Sequence, residues 1–350
     1  MARFLISVLA VGLAAGLWAA CSAEEDDERG SGAGGGGDTD ADGDTDADGD
    51  TDGDTDADTD THIGCAMMDI LFVIDDSGSM GCEQDMLSQA FPQFIQVLED
   101  YNNANSDEIE YRIGVTSTGR TIDYTIDLPD PFPDLPVSED GLDGVLRTAS
   151  GLSDPWIDGP GNQSEIASQF TEMASLGTGG PSYEMPLWCM AAALGQDAPG
   201  EANEGFLRES SLFIAVLITD EDDCSRNDDD FTIEDDSCMT PTPDPALVPL
   251  QDYLDYLNTT FGGPERYVVV TIAGLNGCDA DSYPTTCDED DSYAGAHDAE
   301  RLQDFMFNYV GTGEDDNGLF SDICTESMPD ALSAALEKMT VACDDFVVVE

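Results

Sequence analysis

The stretch "DILFVIDDSGSM" at residues 69–80 decides how this 350-residue chain folds. Five apolar residues, 70–74, are followed at once by two aspartates, two serines and a glycine. A short apolar run that stops at turn-forming residues is typical of a buried parallel strand. In open α/β sheets, ligands bind beyond the carboxyl ends of the strands. We therefore predict a central strand at 68–74, with a candidate site in the loop that leaves it.

Further apolar runs alternate with helical patterns along the rest of the chain. The run "SLFIAVLIT" (211–219), the run "YVVVTIA" (267–273) and the more polar "YRIGVTS" (111–117) predict three more strands. Helical patterns lie at 83–101, 163–176, 184–196, 249–261, 298–310 and 329–342. The alternation predicts an α/β fold: a Rossmann-like, doubly wound, mostly parallel sheet flanked by helices, with disulfide-closed loop insertions.

Two of the predicted strands end in acidic residues. Asp75, Ser77 and Ser79 follow the first strand, and Asp220 follows the strand at 211–219. If both strands are central, these oxygens meet at one rim of the sheet, where they suit Mg²⁺, Mn²⁺ or Ca²⁺ better than zinc. The alternative is a turn and helix cap, because Asp and Ser also favour caps. Asp222 and Asp223, further along, are expected to face solvent.

The D-x-S-x-S pattern at 75–79 and the "LITD" at 217–220 resemble the von Willebrand factor A-type (VWA) domain and its metal-ion-dependent adhesion site (MIDAS). The resemblance covers most of residues 65–345. It implies a metal held by Asp75, Ser77, Ser79 and Asp220, by a Thr from a second loop, and by an acidic residue of a partner.

The second loop should be "LGTGGPSYEMPL" (176–187), just before a helix. The position that the family gives to Thr is occupied by Pro181, which has no side-chain oxygen. Ser182 is the nearest substitute, and Thr178 and Glu184 are weaker candidates.

The chain carries a formal charge of −66, from 76 acidic and 10 basic residues. Such a surface repels nucleic acids and anionic lipid surfaces, so neither is expected as a partner. Ten cysteines indicate an oxidising compartment. The acidic residues also solvate the surface and oppose aggregation.

The N-terminus has the pattern of an exported protein. Residues 1–20 have a basic residue followed by an apolar run too short to span a bilayer, which predicts a signal peptide. "LWAAC" resembles a lipobox, with Cys21 as the lipidated residue, although Trp18 departs from the pattern. We expect an exported protein anchored by this lipid to the cell envelope, at the outer membrane of a Gram-negative bacterium. The alternative is a periplasmic or secreted protein.

Residues 21–63 are dominated by Gly, Asp and Thr and predict a disordered acidic tether, with the VWA domain and its insertions at 64–350. The tether contains D-x-D-x-D-G from Asp38, like the start of a calcium-binding EF-hand loop. Gly49 stands where such a loop needs its bidentate Glu, so a plain tether is favoured.

Nine cysteines remain after Cys21. The expected bridges are Cys224–Cys238, Cys278–Cys287, Cys324–Cys343 and Cys82–Cys189. Cys65 is then unpaired, or pairs with Cys343 instead. A bridge at Cys343 would restrain the last helix.

The function that these features favour is a non-enzymatic binding module, tethered to the envelope, that holds a protein or glycan partner through Mg²⁺ or a similar cation. The first alternative is a structural or calcium-sequestering lipoprotein. The second is a Mg²⁺-dependent hydrolase, which is disfavoured because no basic residue follows either strand end closely and no nucleophilic triad is visible. The loop region 119–162 would border the site, with Trp156 either an exposed anchor or packed inward.

Overall fold

The computed structural model describes residues 65–104, 109–128, 131–228, 230–233, 246–279, 295–314 and 316–346. The predicted signal peptide, Cys21 and the tether lie outside the described residues, as do Cys238 and Cys287. No helix in the described part of the chain is both long and apolar enough to cross a membrane.

The described residues form eleven strands. In chain order they are β1 (Met67–Ile74), β2 (Glu110–Ser117), β3 (Ile122–Ile126), β4 (Leu135–Glu139), β5 (Ile157–Gly159), β6 (Leu212–Ile218), β7 (Asp230–Ile233), β8 (Tyr267–Ala273), β9 (Cys278–Asp279), β10 (Gly295–Ala296) and β11 (Gly318–Asp322).

Six of these strands form the main sheet, in the order β11-β8-β6-β1-β2-β5. All neighbours are parallel except β5, which runs antiparallel to β2 at the edge. From β1 the chain first extends the sheet on one side through β2, then returns to build the other side from β6. The strand order therefore reverses between β1 and β6, which is where doubly wound folds bind ligands.

Six α-helices accompany the strands. They are α1 (Gly81–Ala104), α2 (Gln163–Ala174), α3 (Pro186–Gly195), α4 (Leu250–Phe261), α5 (Glu300–Asp304) and α6 (Met328–Asp344). A 3₁₀ turn (Pro264–Arg266) precedes β8, and a π-helical segment (Phe305–Val310) continues α5. The predicted strands and helices are thus present, with ends that differ by up to three residues and with the predicted helix at 298–310 divided between α5 and the π-helical segment.

Alternation along the buried strands separates two cores. On β1, Met68, Ile70, Phe72 and Ile74 pack towards α1, α2 and α6, while Leu71 and Val73 pack towards α3 and α4. Phe72 meets the rings of Phe91, Phe94 and Phe170 edge-on, at centroid distances of 5.0–6.1 Å. Helices cover both faces of the sheet, which confirms the predicted doubly wound, mostly parallel fold.

A second, three-stranded sheet in the order β4-β3-β7 was not predicted from the sequence. Tyr124 of β3 packs there against Tyr183 and Phe231, at centroid distances of 5.2 and 5.7 Å. Trp156, in the same predicted loop region, is buried against Phe206 with Arg112 over its ring. Of the two expectations for Trp156, the packed one is therefore correct.

The disulfides correct most of the predicted pairings. Cys65 bonds to Cys343, and Cys278 bonds to Cys324. The predicted bridges Cys278–Cys287 and Cys324–Cys343 are therefore wrong, and Cys65 is not unpaired. Pairing by nearness in the sequence fails because β8 and β11 are adjacent in the sheet, which brings Cys278 to Cys324.

The predicted Cys82–Cys189 bridge is also wrong. Cys82 is disulfide-bonded elsewhere, and Cys189 is a free thiol on the buried face of α3. Cys224 is disulfide-bonded as well, but its predicted partner Cys238 lies outside the described residues.

Candidate functional site

The carboxyl ends of β1 and β6 bring four of the predicted residues together. Asp75 is completely buried directly after β1; its Oδ1 accepts a hydrogen bond from the Ser77 backbone (2.7 Å) and its Oδ2 one from the Thr219 hydroxyl (2.6 Å). The hydroxyl oxygens of Ser77 and Ser79 lie 3.1 Å apart. Parallel pairing of β1 with β6 places Thr219 and Asp220 beside this loop.

Asp220 completes this group from the β6 side. The residue is only 3% exposed, and its side chain accepts a hydrogen bond from Ser79. Its Oδ1 atom, which is also buried, has no hydrogen-bond partner. Its backbone carbonyl accepts from the His297 N–H at 2.7 Å, which fixes the loop after β6. A buried carboxylate oxygen without a donor is costly, so it points to a missing ligand.

The second loop contributes Glu184. This side chain is completely buried and lies against Asp75, and its Oε2 accepts a hydrogen bond from the Thr118 hydroxyl at the end of β2. Its Oε1 is buried without a partner. An isolated bridge between Gly119 and Glu184, together with a 2.7 Å bond from the Cys224 N–H to the Glu184 carbonyl, holds the backbone in place.

Burial and like charge dominate the electrostatics of the cluster. Burial raises the pKa of Asp75, while its hydrogen bonds lower it. Burial and the charge of Asp75 raise the pKa of Glu184 and of Asp220 well above the ordinary carboxylate range. The same two causes raise the pKa of the neighbouring Asp76 to about 6. Burial is the larger cause of each shift and the charge of Asp75 the next, and a bound cation would oppose both of them.

Ser182 and Thr178, the other second-loop candidates, are both solvent-exposed. Ser182 binds Glu139 instead of the cluster: its backbone N–H and its hydroxyl each donate to the Glu139 carboxylate at 2.9 Å. Pro181 is buried between them, beside Gly119. The structure therefore places Glu184, and not Ser182, next to Asp75.

Three further residues shape the site and were not identified from the sequence. The Thr118 hydroxyl donates a hydrogen bond to Glu184, and the Thr219 hydroxyl donates one to Asp75. Gln84 of α1 donates to the Asp75 carbonyl (2.8 Å) and the Gly177 carbonyl (3.0 Å), and it accepts from the Gly177 N–H (3.1 Å). Thr118 and Thr219 directly follow strands β2 and β6, and that position was the signal that could have revealed them.

Asp222 and Asp223 were expected to face solvent, but both are buried. Asp222 accepts hydrogen bonds from the Arg301 and Leu302 backbone at the start of α5. Asp223 pairs with the Arg301 guanidinium at 2.7 Å and accepts from the Leu187 N–H of α3. The aspartates that follow Asp220 thus attach this loop to two helices, because buried helix N-termini need acceptors.

The donor set fits a hard divalent cation. Within the described residues, no three His, Cys, Asp or Glu side chains are grouped closely enough to form a metal site by themselves. A cation here would therefore need hydroxyl ligands as well as carboxylates. The Ser77 and Ser79 hydroxyls, with the unpartnered buried oxygens of Asp220 and Glu184, offer such a set of oxygens.

Solved structures that match this chain include the following three. Proximal thread matrix protein 1 of the mussel byssus is 12% identical, over 79% of this chain and 49% of that chain, with a TM-score of 0.38. The pilus adhesin SpaC from Lactobacillus rhamnosus GG is 13% identical, over 79% and 30%, with a TM-score of 0.39. The SpRpn10 VWA domain is 9% identical, over 77% and 95%, with a TM-score of 0.32.

This chain spans about half the length of the mussel protein and less than a third of the adhesin. Another structure of the mussel protein has a zinc-occupied MIDAS motif. No protein-family model and no curated protein matches the chain. At such TM-scores the likeness is too weak to establish the fold, so the assignment rests on the strand order and strand-end site of this chain. Both agree with the VWA resemblance inferred from the sequence.

Proposed function

We propose that the chain is an adhesion-type binding module that holds a protein or glycan partner through a divalent cation, Mg²⁺, Mn²⁺ or Ca²⁺, at the carboxyl ends of β1 and β6. Asp75, Ser77, Ser79, Asp220 and Glu184 would hold the cation. The bound cation would supply positive charge and open coordination positions for an oxygen of the partner, such as a carboxylate. Ser182 and Thr178 remain outside this set because they are exposed and Ser182 is engaged by Glu139.

The observation that carries this proposal is the buried Oδ1 of Asp220, which has no donor, beside the carboxylate of Asp75. A helix cap or turn would satisfy this oxygen with backbone N–H groups, as Ser77 does for Asp75. A cation satisfies the oxygen and offsets the negative charge of Asp75 at the same time.

Calorimetric titration of Mg²⁺, Mn²⁺ and Ca²⁺ into the full chain tests the proposal. We expect one site in the parent that is lost in Asp75→Ala. Asp255→Asn, which removes an equal charge from the exposed surface of α4, should keep the site. Equal, weak and multiple binding by all three proteins would show that cations only screen the acidic surface, and the proposal would be withdrawn.

We also propose that the protein is exported and anchored through Cys21, and that it is not an enzyme. The Cys65–Cys343 and Cys278–Cys324 bridges support export, because structural disulfides persist in oxidising compartments. Labelling of expressing cells with a fatty-acid analogue should mark the parent and not Cys21→Ala. Label that persists in Cys21→Ala would contradict the anchor.

A further inference from the structure

Glu184 gives the proposed cation site one carboxylate more than the pattern of Asp75, two serines and Asp220 supplies. Both the backbone and the side chain of Glu184 are held in place. The backbone is fixed by the bridge to Gly119 and by the Cys224 N–H, and the side chain by the Thr118 hydroxyl. Since it is completely buried beside Asp75, it cannot turn outward as a surface glutamate does.

The charge around the site follows from these positions. Asp220 and Glu184 each interact with the central Asp75. Asp76 and Glu221 add negative charge beside Glu184. Among the described residues, Arg147 offsets part of this charge by lowering the pKa of Asp76. A divalent cation with two carboxylates would be neutral. With Glu184 as a third carboxylate, the loaded site keeps an excess of negative charge, which repels a ligand carboxylate.

We propose that Glu184 competes with acidic ligands for the bound cation: it strengthens cation binding and weakens the binding of a partner's carboxylate. This inference rests on the proposed function, since it needs a cation at the site. Its two effects have opposite signs. Loss of the Glu184 charge should lower the affinity for the cation and raise the affinity of the loaded site for a carboxylate.

The test uses the full chain with Mn²⁺ and with acetate as the carboxylate probe. Mn²⁺ affinity is measured by calorimetry. Acetate binding at saturating Mn²⁺ and constant ionic strength is followed by water-proton relaxation, because acetate displaces water from the ion. We expect Glu184→Gln to bind Mn²⁺ less tightly than the parent and acetate about tenfold more tightly, the order of effect of one nearby like charge.

Two further variants complete the design. Glu184→Thr removes the charge with a different side chain, and it should change both affinities in the same directions as Glu184→Gln. Glu139→Gln removes a carboxylate that binds Ser182 outside the cluster, and it should leave both affinities at the parent values. Circular dichroism of each variant establishes that it is folded.

The outcomes separate the inference from the proposed function. If the parent and Glu184→Gln bind Mn²⁺ in an Asp75-dependent way but bind acetate equally, the competitor role is overturned and the cation site stands. A fall in both affinities would mean that Glu184 only maintains the shape of the site, which also overturns the inference. If no Mn²⁺ binding depends on Asp75, both proposals fail.

Discussion

Individual residues of the cluster oppose the stability of the fold when no cation is bound. Asp75, Asp220 and Glu184 are buried close together, and one oxygen of Asp220 and one of Glu184 lack hydrogen-bond partners. Burying an unpaired charge is among the most destabilising local arrangements in a protein. Residues that break a local rule in this way are expected at functional sites, where binding a ligand restores the balance.

Asp220→Asn is predicted to stabilise the metal-free chain. At pH 7 in EDTA, the variant should gain about 1–3 kcal/mol in the free energy of unfolding, because it removes an unsatisfied buried charge and keeps the shape. Addition of Mg²⁺ should stabilise the parent and leave the variant unchanged, since only the parent retains the site. Urea unfolding of both proteins, with and without Mg²⁺, measures the effect.

Lowering the pH provides an internal control for this prediction. The pKa of Asp220 is raised in the folded chain, so the folded state holds its proton at a pH where the unfolded chain has lost it. The stability linked to this group is therefore present at low pH and is lost as the pH rises through the folded-state pKa. The advantage of Asp220→Asn should shrink on acidification, and an advantage that grows would contradict the assigned cause.

At this scale the sequence was informative where a residue directly follows a buried strand. Asp75, Ser77, Ser79 and Asp220 were identified because carboxyl ends of parallel strands meet at one rim. The choice between Ser182 and Glu184, for which the sequence favoured Ser182, could not be settled in the same way. It depends on the path of a loop with three glycines and a proline, and on which side chain that path turns inward.

At the scale of elements, the first loop, the second loop and helix α1 are joined by Gln84. Its side chain bonds to the backbone of Asp75 and of Gly177, which lie in different loops. Gln84→Met keeps the length of the side chain but leaves these buried backbone groups without partners. We expect a loss of about 1–3 kcal/mol in the free energy of unfolding and weaker Mn²⁺ binding, because both loops lose their common support.

Gln96→Met is the matched control for Gln84→Met. Gln96 lies on the same helix, is exposed, and its side-chain amide donates to Asp100 one turn away, at 2.8 Å. The control should change stability by less than about 0.5 kcal/mol, as surface substitutions usually do. Chemical unfolding and calorimetry give both quantities. If the two variants lost stability equally, the role given to Gln84 would be wrong.

Strands were predicted more accurately the more apolar their sequences are. β1, β6 and β8 are continuous apolar runs and were found almost to the residue. β3, β4 and β11 are five residues each and only partly buried, and β4 contains a proline. Such strands are stabilised by their neighbours rather than by local pattern, so a single sequence does not reveal them.

For the whole molecule, the main difficulty is its own charge. A net charge of −66 on 350 residues destabilises a compact state by self-repulsion. Packing and covalent bridges in the described core must outweigh this repulsion. The Cys65–Cys343 bridge joins a position two residues before β1 to the last helix, 278 residues apart in sequence. Beside it, the Cys65 N–H donates to the Cys343 carbonyl at 2.8 Å. These contacts secure α6 against the start of the sheet.

The two described bridges should therefore differ in their contribution to stability. In the chain-entropy model, a bridge stabilises more when it closes a longer loop. Cys278–Cys324 spans 46 residues, against 278 for Cys65–Cys343. We expect the double variant Cys65→Ser/Cys343→Ser to lose up to about 1.6 kcal/mol more than Cys278→Ser/Cys324→Ser, measured by urea unfolding.

Measuring cation affinity distinguishes a loss of overall stability, caused by removing the Cys65–Cys343 bridge, from damage to the cation site. Cys343 lies at the end of α6, which packs on α1 and the sheet, whereas Asp75 and Asp220 are held by β1, β6 and the loops that follow them. Mn²⁺ affinity should therefore stay at the parent value in Cys65→Ser/Cys343→Ser wherever the protein is folded. A large loss of affinity in the folded variant would mean that the bridge also sets the position of the strand-end loops, and that the site and α6 move as one unit.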